Sequence, residues 1–326
     1  VKEIISSISV FGNPPKSFID ECHQNHIEVY QAVGGNEETI DTPQKRKALV
    51  EKYVSDCNAN GYDGIDLDLE HLSPDIQDAY TEFLKLASKE LHAVGKKLSH
   101  CVSLYQDNET KMFHDPAVLN TTCDLVRVMC YDMYFAPGID KPELKHRDDC
   151  MGIGPTSNYL WTKEAMLFWM KHIPNDKLVM ALPAYANDYA VTGDIKGRQV
   201  YQSVPDSING ILPSPTWLCY EKVNMYLYDG TDGNRHLFYA SDARSTEALL
   251  ELADELGISV ETVRNYFGGH NFKDGKSCGI HIEPGPDGGL VVLDDTTIFE
   301  RALQILAENE EVSERLTFRR VAFGFL

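Results

Sequence analysis

Short runs of apolar and β-branched residues alternate with longer amphipathic segments along residues 4–185 of the chain. This alternation predicts parallel β-strands connected by α-helices, because buried strands form short apolar runs and each covering helix has one apolar face. We predict strands at residues 4–11, 27–33, 62–69, 98–105, 125–133 and 178–185, and helices at residues 17–25, 44–60, 73–94 and 162–172.

The pattern becomes irregular over residues 186–240, where Gly, Pro, Asn and Tyr are frequent. We interpret this region as an insertion or an extended βα loop, a kind of segment that often lines a binding site. A regular pattern returns with a strand at residues 237–239, a helix at 246–256, an apolar stretch at 278–282, a helix at 297–309 and a strand-like segment at 318–326. Since no repeat or linker divides the chain, we expect residues 1–326 to form one α/β barrel of the TIM (β/α)8 type.

Composition narrows the classes of partner. The chain has 326 residues with 50 Asp+Glu against 30 Lys+Arg, which gives a formal net charge of −20. Nucleic acids and anionic membrane surfaces are bound by clustered Lys and Arg, so the acidic excess argues against both partners.

Other sequence features bear on cellular location. The chain has no run of about 18 apolar residues, so we expect no membrane span. Its start has no signal-peptide layout, so we expect that any targeting segment has been removed or was never present. The eight cysteines are scattered, without a CxxC pair, and fit a few disulfides or buried thiols equally well. Together with two glycosylation triplets, which begin at Asn108 and Asn120, they favour a lysosomal or secreted glycoprotein.

The most informative segment is a predicted strand with acidic residues on one face. In Asp-Gly-Ile-Asp-Leu-Asp-Leu-Glu (residues 63–70), Asp66, Asp68 and Glu70 alternate with apolar residues. Successive side chains on a strand point to opposite sides, so the three carboxyl groups face the barrel interior about 6–7 Å apart. Because acidic neighbours raise one another's pKa, we expect Glu70 at the C-terminal rim to be protonated and available as a general acid.

We weighed metal binding by the same residues. Carboxylates also bind Ca²⁺ and Mg²⁺, but this segment lacks the Gly and Glu positions of an EF-hand loop. His23 and His26 are spaced to contact a metal, although two ligands do not make a site. The sequence has no HExxH motif, no P-loop and no GxSxG motif. We therefore expect neither a metal nor a cofactor.

Residues 63–70 resemble the DGxDxDxE signature of glycoside hydrolase family 18, the chitinases and their relatives, with every acidic position filled. Three further segments resemble family motifs in the family's order. Residues 27–35 resemble a strand that ends in Gly-Gly, residues 129–132 (Met-Cys-Tyr-Asp) resemble the MxYD strand, and residues 177–185 resemble the KLVLGxPxY strand. The resemblance covers about residues 3–205 and implies a TIM barrel.

The resemblance also implies retaining, substrate-assisted catalysis. It implies that Glu70 protonates the glycosidic oxygen and that Asp68 orients the substrate's 2-acetamido group. Asp66 would hold or share the proton of Asp68, and Tyr131 would hydrogen-bond the acetamido carbonyl. The expected substrate-binding residues are Asp63, Met129, Asp132, Tyr185, Trp217 in the irregular region, and His281.

Two features depart from the family pattern. Only two predicted strands precede residues 62–69, so the first barrel strand is missing or is supplied by residues 318–326. The family's last strand ends in a tryptophan that forms the floor of the sugar site, whereas residues 256–259 and 278–284 contain none. Either His281 takes its place or the floor is built differently.

The function implied by the resemblance is hydrolysis of β-1,4-linked N-acetylglucosamine in chitobiose-type oligosaccharides or the N-glycan core. The partner would be an N-acetylglucosamine-containing oligosaccharide or a chitin fragment, bound by a monomer. Two alternatives stay open: an endo-acting chitinase or endo-β-N-acetylglucosaminidase with the same residues, and a non-catalytic chitinase-like lectin. Lectins of this type lose the terminal acid, so the presence of Glu70 favours an enzyme.

Overall fold

The computed structural model describes residues 6–70, 72–103, 112–139, 152–201, 205, 208, 213–263, 282–284 and 290–292. Its central feature is a curled parallel β-sheet in which neighbouring strands follow chain order. The first six strands are β1 (Ser7–Phe11), β2 (Glu28–Val33), β3 (Gly64–Leu67), β4 (Lys97–Ser103), β5 (Leu125–Met129) and β6 (Leu178–Pro183).

Helices connect these strands and cover the outer face of the sheet. They are α1 (Lys16–Gln24), α2 (Pro43–Asn60), α3 (Gln77–Ala93), α4 (Pro116–Thr122), α5 (Tyr159–Trp169) and α6 (Ala243–Leu256). Local sequence sets the ends of α2: Thr42 accepts a hydrogen bond from the Lys45 backbone at the start, and Gly61 has a left-handed φ of 87° after the last turn. The short helix α4 was absent from the predicted pattern.

The described part of residues 186–240 forms a separate antiparallel sheet. Its strands are β7 (Ala186–Ala190), β8 (Lys196–Val200), β9 (Thr216–Leu218), β10 (Val223–Asp229) and β11 (Arg235–Ala240), in the spatial order β8-β7-β11-β10-β9. The sequence predicted an irregular insertion with one strand here. Both faces of this sheet carry buried apolar residues, which removes the simple alternation that identifies a half-buried strand.

A seventh parallel strand, β12 (Ser259–Val263), pairs with β6 at the far edge of the central sheet. Of the predicted apolar stretch at residues 278–282, only residue 282 is among the described residues. It begins β13 (Ile282–Pro284), which pairs antiparallel with β14 (Leu290–Val292). Among the described residues, β1 and β12 are the two edges of an open, TIM-barrel-like sheet. Residues 318–326, the predicted replacement for a first strand, lie outside the described residues.

Packing separates the two sides of the central sheet. Ile65, Leu67 and Leu69 belong to the large apolar core between the sheet and the helices. The acidic positions that alternate with them face the other side, the barrel interior, where Ala32 and Met129 belong to a small apolar cluster. The predicted alternation of this strand is therefore confirmed.

The described cysteines and helices bear on the predicted location. None of the six cysteines in the described part of the chain forms a disulfide, and five of them are buried thiols. Cys150 and Cys278 lie outside it. No described helix has both the length and the apolar character that a membrane span requires.

Candidate active site

The acidic strand approaches its neighbours closely. A Cβ atom on Gly64, at the start of β3, would lie 2.5 Å from the backbone oxygen of Lys97 and 2.7 Å from the ring of Tyr30. Glycine is therefore required where β3 packs against the two strands beside it. This packing sets the register that carries the acidic residues toward the C-terminal end of the barrel.

Asp66 is the deepest of the three acids and is fully buried. Its Oδ2 accepts a hydrogen bond of 2.6 Å from the hydroxyl of Ser9. Its Oδ1 lies 3.2 Å from Nε of Arg127, which is also fully buried, and 3.8 Å from the thiol of Cys101. Asp66 thus lies in a network contributed by strands β1, β4 and β5.

Asp68 and Glu70 follow β3 toward the barrel mouth. Burial, followed by repulsion from Glu70 and Asp66, raises the pKa of Asp68 well above its usual range. Oδ1 of Asp68 is buried and makes no hydrogen bond to the described residues. The side chain of Glu70 reaches solvent on one side, while the surrounding protein and the charge of Asp132 raise its pKa to about 7.

Asp132 follows β5 and has a left-handed φ of 56°, a strained backbone conformation of the kind found at functional sites. Its Oδ1 accepts hydrogen bonds from Tyr185 Oη at 2.6 Å, Gln199 Nε2 at 3.1 Å and Thr156 Oγ1 at 3.4 Å. Burial raises the pKa of Asp132 to about 6, although these three hydrogen bonds act in the opposite direction.

Tyr131 lies close to both the acids and Tyr185. Its ring packs edge-on against Tyr185 at a centroid distance of 6.3 Å. Burial is the largest cause that raises the pKa of Tyr131 well above its usual range, and the charges of Asp68 and Glu70 add to the shift. Its hydroxyl therefore keeps its proton and can donate a hydrogen bond to a ligand. Met129, two residues earlier, packs with Tyr131 in the barrel interior.

The structure thus brings together Asp66, Asp68, Glu70, Tyr131, Asp132, Tyr185 and Met129 from the predicted site. Their individual roles stay predictions. Asp63 lies at the opposite end of β3, roughly 20 Å of extended chain from Glu70. Its Oδ2 accepts a hydrogen bond of 2.7 Å from the Val29 backbone and pairs with His23 Nε2 at 2.8 Å. This placement does not support substrate contact by Asp63.

Trp217 is also distant from the acids. It lies on β9, at one edge of the inserted sheet, whereas Gln199, which contacts Asp132, lies on β8 at the other edge. Four strand spacings separate these edges, roughly 19 Å. The guanidinium of Arg244 covers one face of the Trp217 ring, 3.7 Å from its centroid. His281 lies outside the described residues.

Several contributing residues were missed by sequence reasoning. Arg127 had a usable signal, because the alternation of β5 places it on the same face as Met129. Gln199 and Thr156 had no local signal, since their contacts with Asp132 span 67 and 24 residues.

The arrangement can perform acid–base chemistry. A carboxyl group with a pKa of about 7 can donate a proton near neutral pH and accept one later in a cycle. The buried acids behind it can stabilise positive charge that develops nearby. Among the described residues, no group of three or more His, Cys, Asp or Glu side chains is placed to hold a metal ion.

The chain belongs to the glycosyl hydrolases family 18, whose family model matches residues 13–258. The curated relatives it resembles include the uncharacterized glycosylase YvbX of Bacillus subtilis, 21% identical over 230 residues that cover 68% of this chain and 62% of that protein. Another is the cortical fragment-lytic enzyme of B. subtilis, 23% identical over 231 residues that cover 68% of this chain and 49% of that protein. The chain thus spans less than two thirds of the length of each of these relatives.

A solved structure shows the same fold. The chitinase of Chromobacterium violaceum superposes with a TM-score of 0.64 at 17% sequence identity, over 78% of this chain and 84% of that one. At this identity the likeness concerns the fold alone.

Proposed function

We propose that the chain hydrolyses β-1,4-linked N-acetylglucosamine with retention of configuration, with the substrate's own acetamido group as nucleophile. The observation that carries the proposal is the position of Glu70. This acid, with a pKa raised to about 7, lies just after β3, and the two preceding inward positions, Asp66 on β3 and Asp68 after it, are also acids. The hydroxyl of Tyr131 lies within the same cluster of charges.

In the first step, Glu70 protonates the glycosidic oxygen while the acetamido carbonyl oxygen attacks the anomeric carbon. The bond to the leaving sugar breaks, and a positively charged oxazolinium ion forms. Oδ1 of Asp68, which has no hydrogen-bond partner among the described residues, is suited to accept the acetamido N–H and to stabilise this charge. Tyr131 would orient the carbonyl oxygen for attack, which supplies a high effective molarity.

In the second step, Glu70, now a carboxylate, removes a proton from a water molecule that attacks the anomeric carbon. The ring of the oxazolinium ion opens, and the acetamido group is restored. Two inversions at the same carbon give a product of retained configuration. Asp132, held by Tyr185 and Gln199, would bind a sugar hydroxyl and maintain the raised pKa of Glu70.

For the substrate, we propose chitobiose-type oligosaccharides or the N-glycan core. Residues 5–12, 177–189 and 197–201 resemble di-N-acetylchitobiase, which supports this choice. Endo-acting hydrolysis by the same residues is a second candidate. The similarity to the cortical fragment-lytic enzyme favours testing fragments of spore cortex as well.

Product analysis on N,N′-diacetylchitobiose, chitotetraose, a free N-glycan core and spore-cortex fragments tests the proposal. We expect turnover of at least one substrate, with kcat/KM falling as pH rises through about 7, because Glu70 then loses its proton. Glu70→Gln should lower kcat by about 10²–10⁴-fold. Glu51→Gln, which alters an exposed acid of α2, should retain activity.

No turnover of any substrate by the native protein would contradict the proposed function. Full activity of Glu70→Gln would contradict the assignment of the acid. Binding of chitotetraose without turnover would favour the lectin alternative.

We also propose a lysosomal or secreted location, on the basis of the glycosylation triplet at Asn120 in α4. Glycan removal from protein isolated from its native source should then reduce its apparent mass. If glycan removal does not change the mass of the protein, neither triplet is glycosylated and this support for the location is lost.

A further inference from the structure

The barrel interior contains a buried cation that the proposed steps do not use. Arg127 projects from the middle of β5, and none of its side chain reaches solvent. Its Nε lies 3.2 Å from Oδ1 of Asp66, whose side chain is equally buried. A buried arginine beside a buried aspartate indicates an ion pair, since either charge alone would be costly to bury.

Further contacts hold this pair in place. The same Nε donates to Oγ of Ser99 at 2.7 Å, and the guanidinium lies 5.5 Å from the ring centroid of Tyr30. On the carboxylate side, Ser9 donates to Oδ2 and Cys101 donates to Oδ1. Both oxygens of Asp66 therefore accept hydrogen bonds, which is the pattern of an ionised carboxylate.

We propose that Arg127 is a positioning residue that keeps Asp66 ionised. The protons of the acidic cluster are then confined to Asp68 and Glu70. As a statement about catalysis, this inference rests on the proposed function. The family resemblance implied that Asp66 shares the proton of Asp68, and the ion pair assigns Asp66 a different state.

The confined proton has a specific route. Burial, followed by the charges of Glu70 and Asp66, disfavours ionisation of Asp68, so Asp68 holds a proton before the reaction. When Glu70 transfers its own proton to the leaving oxygen, it becomes a carboxylate that can accept the Asp68 proton. Asp68 is then negative when positive charge develops on the substrate. Before water attacks, this proton returns to Asp68, and Glu70 is again a carboxylate. Glu70 then removes a proton from the attacking water, which restores the starting state.

The first test measures the titration midpoint of Glu70 by ¹³C NMR on protein labelled at the glutamate carboxyl group, with the signal assigned from Glu70→Gln. Without the positive charge, in Arg127→Met, Asp66 can share the Asp68 proton. Asp68 then carries part of the negative charge next to Glu70, and the Glu70 midpoint should rise by about one pH unit. Arg127→Lys keeps the charge and should restore the native midpoint. A midpoint that does not change in Arg127→Met would overturn the inference.

Activity provides a second readout in the same variants. The basic limb of the kcat/KM profile should move to higher pH in Arg127→Met and return with Arg127→Lys. A purely structural role would lower activity by the same factor at every pH without moving the limb, which would count against the inference.

A stability cycle covers the case in which Arg127→Met does not fold. Asp66→Asn alone leaves the buried arginine without its carboxylate, whereas Asp66→Asn/Arg127→Met removes both charges. The double variant should therefore have the higher Tm. A double variant less stable than Asp66→Asn would show that no ion pair is present.

The NMR titration and the stability cycle require no turnover. If the native protein hydrolyses none of the substrates but both measurements give the expected result, the ion pair stands and the proposed function fails. If the native protein is active and the Glu70 midpoint is insensitive to Arg127→Met, the proposed function stands and the inference about Arg127 fails.

Discussion

The raised pKa of Glu70 links catalysis to stability at the scale of single residues. The folded protein binds this proton up to about pH 7, whereas the unfolded chain releases it near the ordinary value of 4.5. Between these values the folded state carries the extra proton, so the contribution of Glu70 to stability falls as pH rises through that window. Above pH 7 the ionised side chain destabilises the fold. Asp132, with a pKa of about 6, acts in the same direction.

Glu70→Gln should therefore stabilise the protein at pH 8 and have little effect at pH 4. We expect about 1 kcal/mol at pH 8, a value reduced for the solvent exposure of this side chain. Thermal unfolding at the two pH values measures the difference, with Glu51→Gln as a surface control. An equal change in Tm at both pH values would show that the Glu70 pKa is not raised in the folded state.

Two serines of β1 provide a matched pair. Ser9 donates to Asp66 at 2.6 Å, whereas Ser7, two residues earlier and also buried, makes no hydrogen bond to the described residues. Ser9→Ala should cost about 1.5–3 kcal/mol, because it removes a hydrogen bond to a buried charge. Ser7→Ala should change the free energy of unfolding by less than about 0.5 kcal/mol. Chemical denaturation compares them, and equal losses would contradict the network around Asp66.

At the scale of elements, the inserted sheet completes the site. Strand β8 is the edge of that sheet, and Gln199 reaches from it to Asp132. Gln199 is itself oriented by the hydroxyl of Tyr201, which donates to its Oε1 at 2.7 Å. Tyr201 in turn packs against Tyr185, at a centroid distance of 5.7 Å. Through Gln199, the described part of the insertion acts on the carboxylate of Asp132.

Gln199→Ala should shift the pH dependence of activity toward lower pH. Loss of the donor raises the pKa of Asp132 further, so Asp132 carries less charge at neutral pH and raises the pKa of Glu70 less. We expect kcat/KM at pH 7 to fall about 3–10-fold, the effect of one lost hydrogen bond. Lys196→Ala, an exposed change on the same strand, is the control. A loss that is equal at all pH values would contradict this coupling.

The elements differed in how well the sequence predicted them. The strands of the central sheet were predicted because strands covered by helices form short apolar runs. The alternation at residues 65–70 identified the inward face before any contact was known. The inserted sheet was not predicted, because its strands are defined by pairings between segments and by burial on two faces. The strand β12 was not predicted either, because its sequence contains the polar residues Ser259, Glu261 and Thr262 and does not form an apolar run.

At the scale of the whole molecule, the acidic residues divide into two groups. Three alternate with apolar residues along β3 and the segment that follows it, face the barrel interior and interact with one another. Many of the others lie on exposed helix faces, where pairs such as Lys47–Glu51 contribute little to stability. The motif in the sequence identified the first group. It did not identify Arg127, because the charge that balances Asp66 comes from a strand 61 residues further along the chain.

The most direct test of the proposed mechanism is the configuration of the first product. Chitotetraose is hydrolysed in the NMR tube, and the anomeric proton signals are recorded before the sugar equilibrates in solution. Substrate-assisted catalysis by Glu70 predicts that the β-anomer appears first and that the α-anomer follows by mutarotation. An α-anomer that appears first would mean direct attack by water and would contradict the mechanism.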